Sequence, residues 1–165
     1  SRKIAKTVCA DGHPAENVLK HYADETRHAP ALRALSASLS GDRGRDDYLC
    51  HDQAISYFQL LDQFVSEWLE ENIEAPLPTN NYLLVTTLVE KRAMKLYPLY
   101  RTLTKNPTVQ DELQKIILEE ASHKPAIEAA AQALLKEHGL TLKPCEKFEE
   151  QLFATFEDAV ERELR

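Results

Sequence analysis

Two stretches of the chain place a glutamate three residues before a histidine and a proline two residues after it. They are "DETRHAPAL" at 24–32, with Glu25 and His28, and "EEASHKPAI" at 119–127, with Glu120 and His123. Residues at i and i+3 share one helix face about one turn apart, so each pair can present a carboxylate and an imidazole to one point. Mixed carboxylate and imidazole ligation suits iron or manganese. Each stretch is therefore a candidate half of a metal site.

Both pairs interrupt an apolar helical stripe. The second stripe follows 3-4 spacing through Leu113, Ile116, Glu120, His123, Ile127, Ala130 and Leu134. The first runs from Val18 through Tyr22, Glu25 and then either His28 or Ala29 to Leu39. A carboxylate buried without a partner costs several kcal/mol, so such a group is paired or coordinates a metal. The alternative for either pair alone is a surface glutamate beside a half-buried histidine.

A third carboxylate lies in the middle of another apolar stripe. Glu90 shares this stripe with Leu83, Thr87, Met94 and Tyr97. The alternative is a glutamate at the stripe's edge, paired with Lys91 or another base. If this stripe faces the two stripes that carry the Glu-x-x-His pairs, Glu90 contributes a third carboxylate to the same site.

The two motifs belong to a longer internal repeat. Shifted by 95 residues, the sequence aligns on itself without a gap and pairs not only the motifs but also Cys50 with Cys145 and Phe58 with Phe153. A repeat of this length is too long for a solenoid unit. It predicts a duplicated three-helix element, with pseudo-repeats at 1–73 and 81–165, and makes Pro30 and Pro125 equivalent helix kinks beside the site.

Five residues fit a known ligand pattern: Glu25, His28, Glu90, Glu120 and His123. The four-helix di-metal carboxylate site uses one glutamate from each of two helices and Glu-x-x-His from each of the other two. On these motifs the chain resembles the ferritin-like di-iron carboxylate superfamily. The resemblance implies two iron ions, or manganese, bound by these residues. It also implies dioxygen and an organic substrate as reactants, and allows an electron-donor protein, a homodimer and a role for Tyr22 or Tyr97 near the metals.

The sixth ligand of that pattern is missing from its expected place. By the repeat, the partner of Glu90 falls six residues upstream of Ser1, which predicts that the first bundle helix is truncated or missing. Asp62 and its repeat partner Glu157 are the substitutes within the chain. The alternative for both is an exposed polar face.

The elements that must position these residues are helices. Periodicity and breakers predict helices over about 14–40, 48–73, 81–105, 108–138 and from Pro144 to the end, with a loop at 40–47 and a proline-containing connector at 74–80. Residues 1–165 are expected to form a single all-α, ferritin-like helical bundle.

Composition and charge indicate which classes of protein and which cellular location are expected. The net charge of −7 disfavours non-specific nucleic-acid binding. No apolar run is long enough to span a bilayer, the start lacks a secretory signal, and three cysteines without a CxxC favour a reduced, cytoplasmic protein. The expected function is an O2-activating di-iron oxidase or oxygenase. An iron-handling ferritin-like protein and a metal-free helical interaction module are the alternatives.

Overall fold

The computed structural model describes residues 16–40 and 50–165, and within these ranges the chain is all-helical. The described helices are α1 (Glu16–Ser40), α2 (His51–Asn72), α3 (Pro78–Leu103), α4 (Pro107–Glu137) and α5 (Lys143–Leu164). The predicted loop at 40–47 lies outside the described residues from 41 onward. The all-α prediction is confirmed for the described part of the chain, where no helix is long and apolar enough to cross a bilayer.

Local capping explains where the central helices begin and end. The Asn106 side chain accepts hydrogen bonds from the N–H groups of Thr108 and Val109, and Pro107 occupies the first turn, where its missing N–H costs nothing. After α4, Gly139 adopts φ +66°, which a residue with a Cβ rarely tolerates. The prediction was wrong at the start of α3, because Pro78 begins the helix and shortens the 74–80 connector.

The helices pack in a connected order. α3 packs most extensively against α4, and also against α2 and α5; α2 packs against α5, and α1 packs against α4. Only residues 104–106 join α3 to α4, so these two form an antiparallel hairpin. The hairpin therefore connects α1 on one side to the α2–α5 pair on the other.

The main apolar core lies among α2, α3 and α5 and includes the second half of α4. Leu61, Val65 and Leu84 are fully buried there, and the Phe64 ring stacks on Phe148 with centroids 3.9 Å apart. Burial of each such side chain contributes about 1.5–3 kcal/mol. This core holds α3 in position. Because the short connection joins α3 to α4, it also sets how far α4 is shifted along its axis relative to α3.

Prolines inside three helices do not end them. α1 continues through Pro30, α3 through Pro98 and α4 through Pro125. Each proline removes one intrahelical hydrogen bond, so these are the points where the helices bend most easily. Pro30 and Pro125 both lie two residues beyond a motif histidine.

Two buried cysteines lie at helix starts, Cys50 at the residue before α2 and Cys145 in the first turn of α5. Cys50 donates its thiol to Glu163 Oε2 at 2.8 Å, and this hydrogen bond, with burial, raises its pKa. Burial raises the pKa of the Cys145 thiol to about 12. Both thiols are therefore held in the protonated, unreactive form.

Alkylation should reveal this protection. At pH 8, iodoacetamide should label Cys50 and Cys145 at least ~100-fold more slowly in the folded protein than after denaturation, because the thiolate is the nucleophile. Site-resolved mass spectrometry of the two peptides measures both rates. Equal rates in the folded and unfolded protein would contradict the burial of Cys145.

Candidate metal centre

The hairpin brings two of the predicted carboxylates to the same level. Glu90 lies thirteen residues before Leu103, where α3 ends, and Glu120 lies thirteen residues after Pro107, where α4 begins. In an antiparallel pair with a three-residue connection, positions equally distant from the turn lie opposite each other. Both side chains are buried, with 5% and 3% of their surfaces exposed.

The structure describes the side chains of four of the five predicted ligands, and all four are buried. His28 from α1, Glu90 from α3, and Glu120 and His123 from α4 each expose less than a tenth of their surface. Ionisable groups are rarely buried unless they are paired or bind a metal. The burial of two carboxylates and two imidazoles on α1, α3 and α4 therefore requires an electrostatic explanation.

The His28 imidazole joins α1 to α4 through two carboxylates. Its Nε2 lies 2.7 Å from Glu119 Oε2, and its Nδ1 lies 3.2 Å from Glu120 Oε1. The ring thus bridges two adjacent residues of α4, one partly exposed and one buried. When Nε2 carries a proton, the ring can donate it in a hydrogen bond to Glu119, and Nδ1 is then the nitrogen on the side of Glu120.

Glu119 was not predicted as a site residue. Its Oε1 also accepts from Arg27 Nη1 at 3.2 Å. The hydrogen bond from His28, supported by Arg27 and opposed by partial burial, holds the pKa of the Glu119 carboxyl below its ordinary value. A carboxylate on the outer nitrogen of an imidazole is the usual device that fixes the ring of a metal-binding histidine.

A signal for Glu119 is present in the sequence. The repeat aligns it with Asp24, so both motifs begin with two adjacent acidic residues, "DE" and "EE". The equivalent contact would join Asp24 to His123. The Asp24 side chain lies outside the described part of the structure.

The remaining predicted site residues are placed as follows. Glu25 and Tyr22 lie on α1, but their side chains are outside the described part of the chain. Tyr97 lies on α3 two turns beyond Glu90. Asp62 lies on α2, where its Oδ1 accepts from Asn81 at 3.1 Å. Asn81 precedes Glu90 by nine residues, or about 13 Å along α3, so the structure does not bring Asp62 to the cluster.

The described side chains alone do not form a ready ligand shell. Within 16–40 and 50–165, no group of three or more His, Cys, Asp or Glu side chains is arranged to hold a metal ion. The predicted ligand set also includes Glu25. Its side chain is not among the described ones, so no group found among them can include it. The four buried side chains are two carboxylates and two imidazoles. These residue types fit iron or manganese, which bind carboxylate oxygen and imidazole nitrogen together.

A second buried polar cluster lies on the other side of α3. Arg92 donates from Nε and Nη2 to the two oxygens of Glu149 at 2.9 and 2.7 Å, and Tyr57 donates its hydroxyl to Glu149 Oε1 at 2.6 Å. The Arg92 guanidinium also lies 3.9 Å from the centroid of the Phe153 ring. Burial, followed by the hydrogen bond to Glu149, raises the pKa of the Tyr57 hydroxyl. This cluster ties α2, α3 and α5 together.

Comparison of the chain with protein-family models, with curated proteins and with solved structures finds no match.

Proposed function

We propose that the chain is a non-haem di-metal oxidoreductase, in which two iron or manganese ions activate dioxygen to oxidise an organic molecule. The proposed ligands are Glu25, His28, Glu90, Glu120 and His123. One position of the six-ligand pattern stays unassigned within the chain. The proposal adopts the ferritin-like arrangement of paired Glu-x-x-His motifs on facing helices.

The single observation that carries the proposal is the setting of His28. The ring is buried, one nitrogen meets the outer carboxylate of Glu119, and the other faces Glu120, a predicted ligand. An ordinary surface ion pair would not need two adjacent carboxylates on one buried imidazole. This contact supports the proposal, because a metal-binding histidine usually donates its other ring N–H to a carboxylate, a backbone carbonyl or water.

The packing of equivalent helices supports the proposed duplication. Under the 95-residue shift, α1 corresponds to α4 and α2 corresponds to α5, and each of these pairs is in contact. Contacts between equivalent elements are what a pseudo-two-fold arrangement produces. Such an arrangement would place the two Glu-x-x-His motifs on either side of one axis.

Each residue has a distinct proposed role. The carboxylates of Glu25, Glu90 and Glu120 would balance the charge of the cations, and His28 and His123 would each complete one ion's ligands. When bound, the metal pair supplies the electrons and the open positions that dioxygen needs. Glu119 would hold the His28 ring with its Nδ1 toward the centre, and the buried surroundings would limit the access of water.

Oxygen uptake tests the proposed reaction. After anaerobic loading with Fe(II) and removal of free metal, the protein should consume O2 faster than an equal concentration of iron in buffer. Light scattering should give a monomer or dimer. No uptake above the buffer rate would contradict the proposal, and a large shell that oxidises iron without an organic substrate would favour the iron-handling alternative.

Removal of Glu119 should weaken metal binding without removing a ligand. We expect Glu119→Ala to lower the affinity for Fe(II) or Mn(II) about 10- to 100-fold, since the His28 ring loses its orienting partner. Competition with a chelator measures the affinity. Glu112→Ala is the matched control, because Glu112 lies on the same helix beside exposed Lys115, with 2.9 Å between Lys115 Nζ and Glu112 Oε2. Equal affinities in the two variants would contradict the role of Glu119.

A further inference from the structure

A cavity of about 170 Å³ lies between α2, α3 and α5. Its wall is formed mainly by aromatic and small side chains, including Tyr57, Phe58, Ala93, Tyr97, Phe153 and Phe156. An engineered apolar cavity of about 150 Å³ stays free of water and binds benzene. The volume here is therefore that of one single-ring molecule.

Two pairs of aromatic rings around this cavity are arranged edge to face. The Tyr57 ring meets Phe58 at an interplanar angle of 82° with centroids 5.1 Å apart, and it meets Phe153 at 79° and 6.2 Å. Rings in this arrangement offer both faces and edges to a neighbour, which another aromatic ring can match. Phe58 is half exposed and stands at the border between the cavity and solvent.

Two polar side chains of the wall, Tyr57 and Arg92, direct their polar groups to the same carboxylate. The Tyr57 hydroxyl and the Arg92 guanidinium both hydrogen-bond to Glu149, so each presents carbon or a satisfied charge to the cavity. A charged ligand would have to compete with this buried ion pair. The lining therefore favours a neutral molecule.

The cavity and the proposed metal centre share α3. Ala93 and Tyr97 line the cavity and lie three and seven residues beyond Glu90, which corresponds to about 5 and 10 Å along the helix. A molecule in the cavity is thus within about two helical turns of a proposed ligand. No other described element carries both a proposed ligand and cavity-lining residues.

We propose that this cavity binds a neutral single-ring aromatic molecule. Binding itself depends only on the cavity. Its assignment as the substrate site rests on the proposed di-metal function. The recognition is by size and by ring contacts, so longer acyl chains, whose volume exceeds the cavity, are excluded from full burial.

Binding can be measured with fluorobenzene as the probe and ¹⁹F NMR as the readout, on the full chain in metal-free and Fe(II)-loaded form. We expect saturable binding with a dissociation constant below about 1 mM in both forms. Ala93→Phe and Ala54→Phe, which fill the cavity from α3 and α2, should each weaken binding at least tenfold. Ala133→Phe, on the exposed face of α4, is the matched control and should bind as the parent does.

The outcomes separate the cavity from the metal centre. Binding that is lost in both filled variants supports the cavity even if the protein holds no iron, in which case only the substrate assignment falls. Absence of saturable binding to a protein that does hold iron overturns the cavity proposal alone. Retained helicity by circular dichroism identifies the folded variants, and unchanged affinity in a folded Ala93→Phe or Ala54→Phe protein also overturns it.

Discussion

Glu120→Gln is expected to remove metal binding while leaving the metal-free fold intact. Glu120 is 3% exposed and faces the imidazole of His28, so the substitution deletes the negative charge that a cation at this point requires. Metal that binds only the folded state stabilises it by about 4 kcal/mol at a thousandfold excess over the dissociation constant. The parent should gain this stabilisation from Fe(II) or Mn(II), and the variant should not.

Glu128→Gln is the matched control for this substitution. Glu128 lies two turns further along α4, and its carboxylate is 4.0 Å from Lys124 at the protein surface. Thermal unfolding of both variants, with and without metal, distinguishes a carboxylate that binds the metal from one that only pairs with a lysine at the surface. If Glu120→Gln retains the full metal-dependent shift in Tm, Glu120 is not a ligand.

Glu149→Ala should cause a large loss of stability although Glu149 lies outside the proposed metal centre. Glu149 accepts from both Arg92 and Tyr57, and the Arg92 side chain is only 16% exposed. Its removal leaves a buried cation uncompensated and a buried hydroxyl without its acceptor. Breaking one partner of a buried pair typically costs about 3–5 kcal/mol.

The neighbouring Lys91–Glu146 pair provides the comparison. It spans the same two helices at 2.7 Å, but both side chains are more than one-third exposed. Glu146→Ala should therefore cost about 1 kcal/mol or less. Urea unfolding measures both differences, and a loss below about 1 kcal/mol for Glu149→Ala would show that the buried cluster does not hold α2, α3 and α5 together.

Helix positions were largely predictable because each depends on local chemistry. Pro107 after Asn106 marks the start of α4, and Gly139 marks its end, through backbone preferences that neighbouring residues do not change. Pro78 lies in the first turn of α3 and not in the predicted connector. Nothing in its immediate sequence separates a proline in a connector from a proline in a first helical turn.

Tertiary contacts between helices were harder to predict from the sequence. Glu119 precedes a predicted ligand by one residue, and neighbours on a helix point about 100° apart, so periodicity assigned it to another face. Its contact with His28 depends on how α1 packs against α4. Arg92 and Glu149 likewise pair across 57 positions of sequence, and no local pattern pairs them.

The metal content of the full chain tests the central claim most directly. After anaerobic reconstitution with Fe(II) and removal of unbound metal, elemental analysis should find about two iron ions per chain in the parent protein. The same treatment with Mn(II) covers the alternative metal. A value of about one or fewer ions per chain with both metals would contradict a dinuclear centre built from the two Glu-x-x-His motifs and Glu90.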